Sequence, residues 1–224
     1  MKRKHNILLI LCILIMALIS FSNAQDYTYS LEAKGSYTTS SKVFLHPEAA
    51  DLFLRGKYLM LENIYGVGID IRRKVDNSYL RIGFSIEYLE KTENYPATKT
   101  QDGFLAIPVE LTGFFYIPIT GKSFDIYMGA GVGLYFGERR YTFYNVKAKV
   151  VEKKAGAGIH VQSGVDYNFY ERFALRTQVK FRDLQFQSTN QFTNPGDRQL
   201  DLKPFTSQIN IDGMTLELGL VYYF

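Results

Sequence analysis

His160 and Ser163 stand three residues apart in His160-Val-Gln-Ser163, and they are the residue types that a serine nucleophile and its general base would need for acyl transfer. Such a pair must come within about 3 Å. On an extended chain successive side chains point to opposite sides, so a spacing of three sends the two apart. The chain has three histidines; His5 lies near the amino terminus and His46 in a stretch that reads as a loop. His160 is therefore expected to be a structural histidine, hydrogen-bonded to a neighbour. No spacing of His, Cys, Asp or Glu resembles a metal-ligand set. Gly129-Ala-Gly-Val-Gly133 lies inside a strand-like run rather than ahead of a helix, so it is no phosphate loop. No catalytic residue, cofactor or metal is expected.

A second constellation is larger. Glu32, Lys34, Asp70, Arg72, Arg81, Glu87, Glu110, Asp125, Asp166, Arg176, Lys180, Arg182 and Glu217 all fall on the polar parity of strand-like segments, six cations against seven anions. If that parity faces an enclosed space, the charges must pair to offset desolvation. An interlocked salt-bridge network is expected, with Arg81, Glu87, Glu110, Asp166, Arg176, Lys180 and Glu217 as its main members. Its role is read as structural filling, with a gate or proton path as the rival.

The elements that must position these residues are strands. Period-two alternation of apolar and polar residues marks eight of them, at 29–38, 65–72, 80–89, 105–117, 124–136, 157–169, 173–182 and 214–224, each near the length of a tilted membrane strand. In the last, Leu216, Leu218, Leu220, Tyr222 and Phe224 share one face, and a terminal aromatic suits a lipid interface. Pro108 removes a ladder donor, so a bulge or a break in pairing is expected there. The connections alternate long and short. Residues 39–56 read as a long loop with a helical turn near Pro47, 90–103 as a polar loop, and 183–210 as the longest loop. Residues 137–154 read as a hairpin extending strands five and six beyond the bilayer. Short turns and long loops on opposite sides, with an even strand count, are the signature of an outer-membrane barrel. The fold class expected is all-β, an eight-stranded antiparallel up-and-down transmembrane β-barrel.

The ends and the composition agree. Met1-Lys-Arg-Lys-His precedes an apolar run, and Ser22-Asn23-Ala24 offers small residues for cleavage, so 1–24 reads as a signal peptide and 25–224 as one barrel domain. Removing Lys2, Arg3 and Lys4 takes the formal charge from +4 to +1, which leaves no basic patch for nucleic acid. The single cysteine, Cys12, leaves with the signal, so no disulfide framework is available. A soluble lipocalin-like barrel would show the same alternation with its apolar face inside. Bulky Leu, Ile, Val, Phe and Tyr on one face, against glycines, serines and opposed charges on the other, favour lipid outside.

Ile107-Pro-Val-Glu-Leu-Thr-Gly-Phe-Phe-Tyr116 and Ile126-Tyr-Met-Gly-Ala-Gly-Val-Gly-Leu134 resemble the small outer-membrane β-barrel domains of porin-family type common in Bacteroidetes-like bacteria. The resemblance spans essentially the whole mature chain and implies a fold and a location in the outer membrane, with no established activity. The expected function is an integral outer-membrane barrel with a side-chain-filled lumen and a structural or surface-interaction role, not an open general porin. The alternatives are a lipid-modifying outer-membrane enzyme and a lipocalin-like soluble ligand binder. Expected partners are outer-membrane lipid, lipopolysaccharide at loops carrying Arg139, Arg140, Lys147, Lys149, Lys153 and Lys154 among Tyr141, Phe143, Tyr144, Phe192 and Phe205, and the barrel-assembly machinery through the strand ending in Phe224. A monomer is expected.

Overall fold

The computed structural model describes residues 27–76, 78–118, 123–144, 146–192 and 203–224; the expected signal peptide, 1–24, lies outside the described residues. The strands are β1 (Tyr29–Phe44), β2 (Tyr58–Lys74), β3 (Leu80–Tyr95), β4 (Thr100–Tyr116), β5 (Phe124–Phe143), β6 (Val146–Lys147), β7 (Lys149–Lys154), β8 (Gly156–Tyr170), β9 (Phe173–Arg182), β10 (Leu184–Gln191), β11 (Phe205–Ile211) and β12 (Thr215–Tyr223). Eight of them close a ring in the order β1-β2-β3-β4-β5-β8-β9-β12, every pair antiparallel, with β12 returning to β1 from Ser30↔Tyr223 to Thr38↔Thr215. Closure leaves no free sheet edge within the ring, the condition for strands to cross lipid. Tyr29 and Phe224 exchange backbone hydrogen bonds at 2.9 Å, so the first and last strands of the ring meet at the short-turn side.

The apolar parity points outward. Leu218 is 55%, Phe84 44% and Val132 58% exposed, whereas Arg176 is 0% and Glu110 1% exposed. This orientation excludes the lipocalin-like arrangement, in which those values would be reversed. Aromatic rings bracket the aliphatic belt. At the short-turn end Tyr29 stacks on Phe224 at 5.7 Å, Phe124 packs on Tyr167 at 5.0 Å and Phe173 on Tyr222 at 5.2 Å. At the far end Tyr37 packs on Tyr65 at 5.5 Å, and Tyr88 on β3 and Phe136 on β5 are exposed. Two aromatic girdles around an apolar band place the barrel across a membrane.

The strands run well past that band. β5 has 20 residues, and at about 3.3 Å per residue with a tilt near 40° it rises ~50 Å, about twice the apolar band. Three expected loops are consequently shorter than the alternation implied, and the expected hairpin pairs differently. β1 continues to Phe44 and β2 begins at Tyr58, leaving a helical turn, α1 (Leu52–Arg55), capped by Asp51 Oδ1 on Phe53 N at 2.9 Å, rather than a turn starting at Pro47. β3 and β4 stay paired from Tyr95↔Thr100 inward, so most of 90–103 is strand. β10 and β11 form a hairpin inside the expected 183–210 loop; residues 193–202 lie outside the described residues. In the 137–154 segment β5 pairs with β6, but β7 pairs with β10 instead of β5. Beyond the bilayer, water can face the outer side, so a strand there needs no apolar outer face and the expected pattern disappears.

Pro108 behaves as its chemistry requires. β4 keeps continuous register with β5 through Pro108↔Tyr135, while its pairing to β3 is interrupted between Ile86↔Val109 and Leu89↔Ala106 without a register shift.

Candidate functional site: the layered lumen

Inward side chains of the ring fill the barrel in layers. Nearest the short turns, Arg72 donates from Nε to Asp70 at 3.0 Å and from Nη2 to Gln178 Oε1 at 3.0 Å, and lies 3.7 Å over the Phe114 ring. Arg176 grips Asp166 through two hydrogen bonds of 2.6 and 2.7 Å and reaches Glu32 at 3.0 Å. Tyr223 donates to the same Asp166 at 3.0 Å and Tyr127 to Gln178 at 2.6 Å. Planar guanidinium groups suit this layer because they make bidentate bonds and stack on rings at once.

One level up, three acids meet three bases. Lys180 Nζ lies 2.7 Å from Glu87, 2.8 Å from Glu110 and 3.1 Å from Glu217. Lys34 bridges Glu87 at 3.0 Å and Glu217 at 2.8 Å, and Arg182 bridges Glu87 at 2.9 Å and Glu110 at 3.4 Å. Gln178 Nε2 also donates to Glu217, tying the two levels together. All six ionisable residues of this level are at least 96% buried. His160 sits at the edge of the level with Nε2 2.8 Å from Thr112 Oγ1, the structural bond expected of it. Ser163 faces the opposite way and donates to Tyr127 O at 3.1 Å, so the serine and the histidine do not come together.

Above the charges the lumen turns apolar. Val43, Leu61, Ile64, Leu89, Phe104, Ala106, Tyr135, Leu184, Phe186, Ile209 and Ile211 form one buried cluster. Two strands change facing to supply it. Thr38 and Ser41 are both inward on β1, as are Leu61 and Ile64 on β2, spacings of three that break strict alternation. On β2 the switch falls at Asn63, whose φ of 56° is left-handed, a conformation asparagine tolerates better than most residues. Above the bilayer the barrel thus adopts the inside-out arrangement of a soluble one: apolar within, polar without.

A last polar pair sits over this plug. Arg139 Nε donates to Asp102 at 2.9 Å and Nη1 to Ser207 Oγ at 2.7 Å, so Arg139 is buried inside the barrel and not on a loop tip. Tyr141, Phe192 and Phe205 pack together at 5.8 to 5.9 Å, also turned inward, and line a recess of about 500 Å³ at the long-loop mouth. Burial raises the Tyr141 phenol, and burial with a hydrogen bond to Glu93 pushes Tyr95 up to about 12. On the outside of the same region, Lys153 bonds Glu138 at 2.6 Å and holds its carboxyl below the usual range.

Of the seven residues expected at the centre of the network, Glu87, Glu110, Asp166, Arg176, Lys180 and Glu217 are buried in it. Arg81 is set apart at the short-turn rim, half-buried, with its guanidinium 4.1 Å over the Tyr116 ring. Asp125 is also only half-buried, accepting from Asn168 at 2.8 Å; both lie within reach of bulk water at the barrel's end. The aromatic partners Tyr116, Tyr127 and Tyr223 and the apolar plug were not foreseen. Their signal was present in the inward parity of β4, β5 and β12 and in the alternation of Leu184 and Phe186 with Gln185 and Gln187.

Comparison with solved structures places this architecture. OprG, an outer membrane protein from Pseudomonas aeruginosa, superposes with a TM-score of 0.63 over 90% of this chain and 99% of its own, at 15% identity. The fold is that of an outer-membrane barrel. Neisserial surface protein A gives 0.51 over 88% of this chain and 97% of its own, at 11% identity. No family model matches the sequence and no curated protein is similar enough to align. The barrel fold is therefore shared, while the filling of the lumen has to be read from this chain alone.

Proposed function

We propose that this chain is an integral protein of the bacterial outer membrane whose barrel is closed to solutes and whose long-loop end is its contact surface. The observation that carries the reading is the stacking of two ion-paired levels beneath an apolar plug. A solute or ion would have to separate buried pairs and then cross a dry layer. Reconstituted in a planar bilayer, the wild type is expected to show no unitary conductance steps, and regular steps comparable to those of an open porin would overturn the reading.

The exposed end supports a surface-interaction role. Leu52 and Phe53 of α1 are 76% and 74% exposed, on a connection standing clear of the belt, and an apolar tip of this kind suits a protein partner. Lys149, Lys153 and Lys154 of β7 are exposed and suit the phosphates of lipopolysaccharide. The strand ending at Phe224 is the expected contact with the barrel-assembly machinery, and a monomer suffices because the ring closes on itself. Chemical turnover forms no part of this reading, since Ser163 and His160 face apart. Acyl release by detergent-solubilised wild type that vanishes in His160→Ala would establish the enzymatic alternative.

A further inference from the structure

The lipid-facing belt carries a depression that packing does not require. Arg73 pairs with Ile82, Ile82 with Gly113, Gly113 with Ala130 and Ala130 with Val161, so these five outward residues form one row across β2, β3, β4, β5 and β8. Among the described belt positions, Gly113 and Ala130 are the one pair of small residues facing each other across two strands. They floor a groove of about 550 Å³ walled by Ile82, Phe115, Met128 and Val161. A Cβ on Gly113 would meet nothing closer than Ala130 O at 3.9 Å, whereas one on Gly129 would stand 2.8 Å from the Phe114 ring and one on Gly131 2.1 Å from Leu111 O. The barrel thus requires glycine at 129 and 131 but not at 113, where it only weakens the strand. Gly35 is open too, with nothing within 4 Å, but it pairs with Leu218 and Val67, whereas Gly113 and Ala130 leave the space vacant together.

The row also climbs. Arg73 is one residue from the end of β2 at Lys74, Gly113 three from the end of β4 at Tyr116, and Ala130 six from the start of β5 at Phe124. The guanidinium therefore sits at the short-turn interface, 5.8 Å over the girdle ring of Tyr29, while the groove lies deeper in the bilayer. A cation at headgroup depth beside an apolar cleft at acyl-chain depth matches a phospholipid in both charge and shape. We infer that this face holds one anionic phospholipid of the periplasmic leaflet, its phosphate on Arg73 and an acyl chain in the groove over Gly113. The site rests on the membrane reading above.

The chain contains no tryptophan, so a single introduced one is a lone reporter. Phe115→Trp reports from the groove wall, and Leu218→Trp from β12 on the opposite side of the ring. Each protein is refolded into phosphatidylcholine vesicles containing increasing amounts of brominated phosphatidylglycerol or brominated phosphatidylcholine. At the groove the anionic lipid is expected to quench at a mole fraction about fivefold lower than the zwitterionic one; at Leu218→Trp the two curves should coincide. Arg73→Gln should abolish the preference, and so should Gly113→Leu, which the open space accommodates. Coincident curves at the groove, or a preference that survives either substitution, overturn the site. Absence of quenching by both lipids at Leu218→Trp would overturn the membrane reading instead.

Discussion

Lys180→Met tests whether the lumen is dry. Lys180 Nζ has three carboxylates within 3.1 Å, so its removal leaves Glu87, Glu110 and Glu217 with Lys34 and Arg182 as the remaining cations of this level. At 2.8 Å a unit charge pair interacts by about 6 kcal/mol at an effective dielectric of 20, and by about 1.5 kcal/mol in bulk water. Breaking a buried pair from one side typically costs about 3–5 kcal/mol, because the abandoned charge stays desolvated; an exposed pair is worth below about 1 kcal/mol. The predicted loss is therefore about 3 kcal/mol or more. Adding Glu110→Gln restores two acids against two bases and should recover at least about 1 kcal/mol of that loss, a non-additivity characteristic of contacting groups. Urea unfolding of the refolded barrel in lipid vesicles, followed by far-ultraviolet circular dichroism and by the shift of the unboiled band on a denaturing gel, measures both numbers. A single-variant cost under 1 kcal/mol, with simple additivity in the double variant, would mean that water fills this level and would refute the closed lumen.

Gly131→Val places a Cβ 2.1 Å from Leu111 O and should prevent refolding into vesicles, while Gly113→Ala should refold with wild-type yield; the fraction of fast-migrating unboiled band reports both. Phe186→Ala opens a cavity in the plug and should cost about 3–5 kcal/mol in the same urea assay. The Lys153 bond holds the Glu138 carboxyl down, so its contribution is present above the ordinary glutamate range and lost as pH falls through the lowered value. Glu138→Gln should then destabilise by less than about 1 kcal/mol at pH 7, and by progressively less as the pH falls below the ordinary glutamate range.

The membrane half of the barrel was legible because lipid imposes a single rule on it. Where the outer side must be apolar and the lumen is narrow, Leu216, Leu218 and Leu220 have no choice but to alternate with Thr215, Glu217 and Gly219, and strand count, facing and the charged set all follow. The other half obeys a weaker rule. Between Leu184 and Gln191 the outer side may be glutamine or threonine, and the inner side changes from Leu184 and Phe186 to Ser188 and Asn190. Such a run reads as a polar loop although it is a paired strand. Tyr116, Tyr127 and Tyr223 were missed for a different reason: tyrosine fits a girdle or a lumen equally well, and parity assigns a face without saying which hydroxyl meets which acid. Arg139 was misplaced because Glu138, Arg139 and Arg140 put charge on both faces of the 137–154 hairpin, so parity alone does not mark its inward side.

The change of filling along the axis follows from what surrounds the wall. Within the bilayer the outer face already supplies the apolar burial, so the interior is free to hold charges, provided every one is paired. Above the bilayer the outer face meets water and contributes no burial, and a wall of strands around a charged interior would have little to hold it closed. The interior there must become the core, and the strands achieve this by changing facing at Thr38–Ser41 and Leu61–Ile64, just past the Tyr37–Tyr65 girdle pair. If that reasoning holds, the two halves fail independently. Phe186→Ala should loosen amide-exchange protection in β10 and β11 while leaving that of β9 and β12 intact, and Lys180→Met should do the reverse. A uniform loss of protection around all strands in either variant would show that the barrel is one cooperative unit and that the plug is not a separate core.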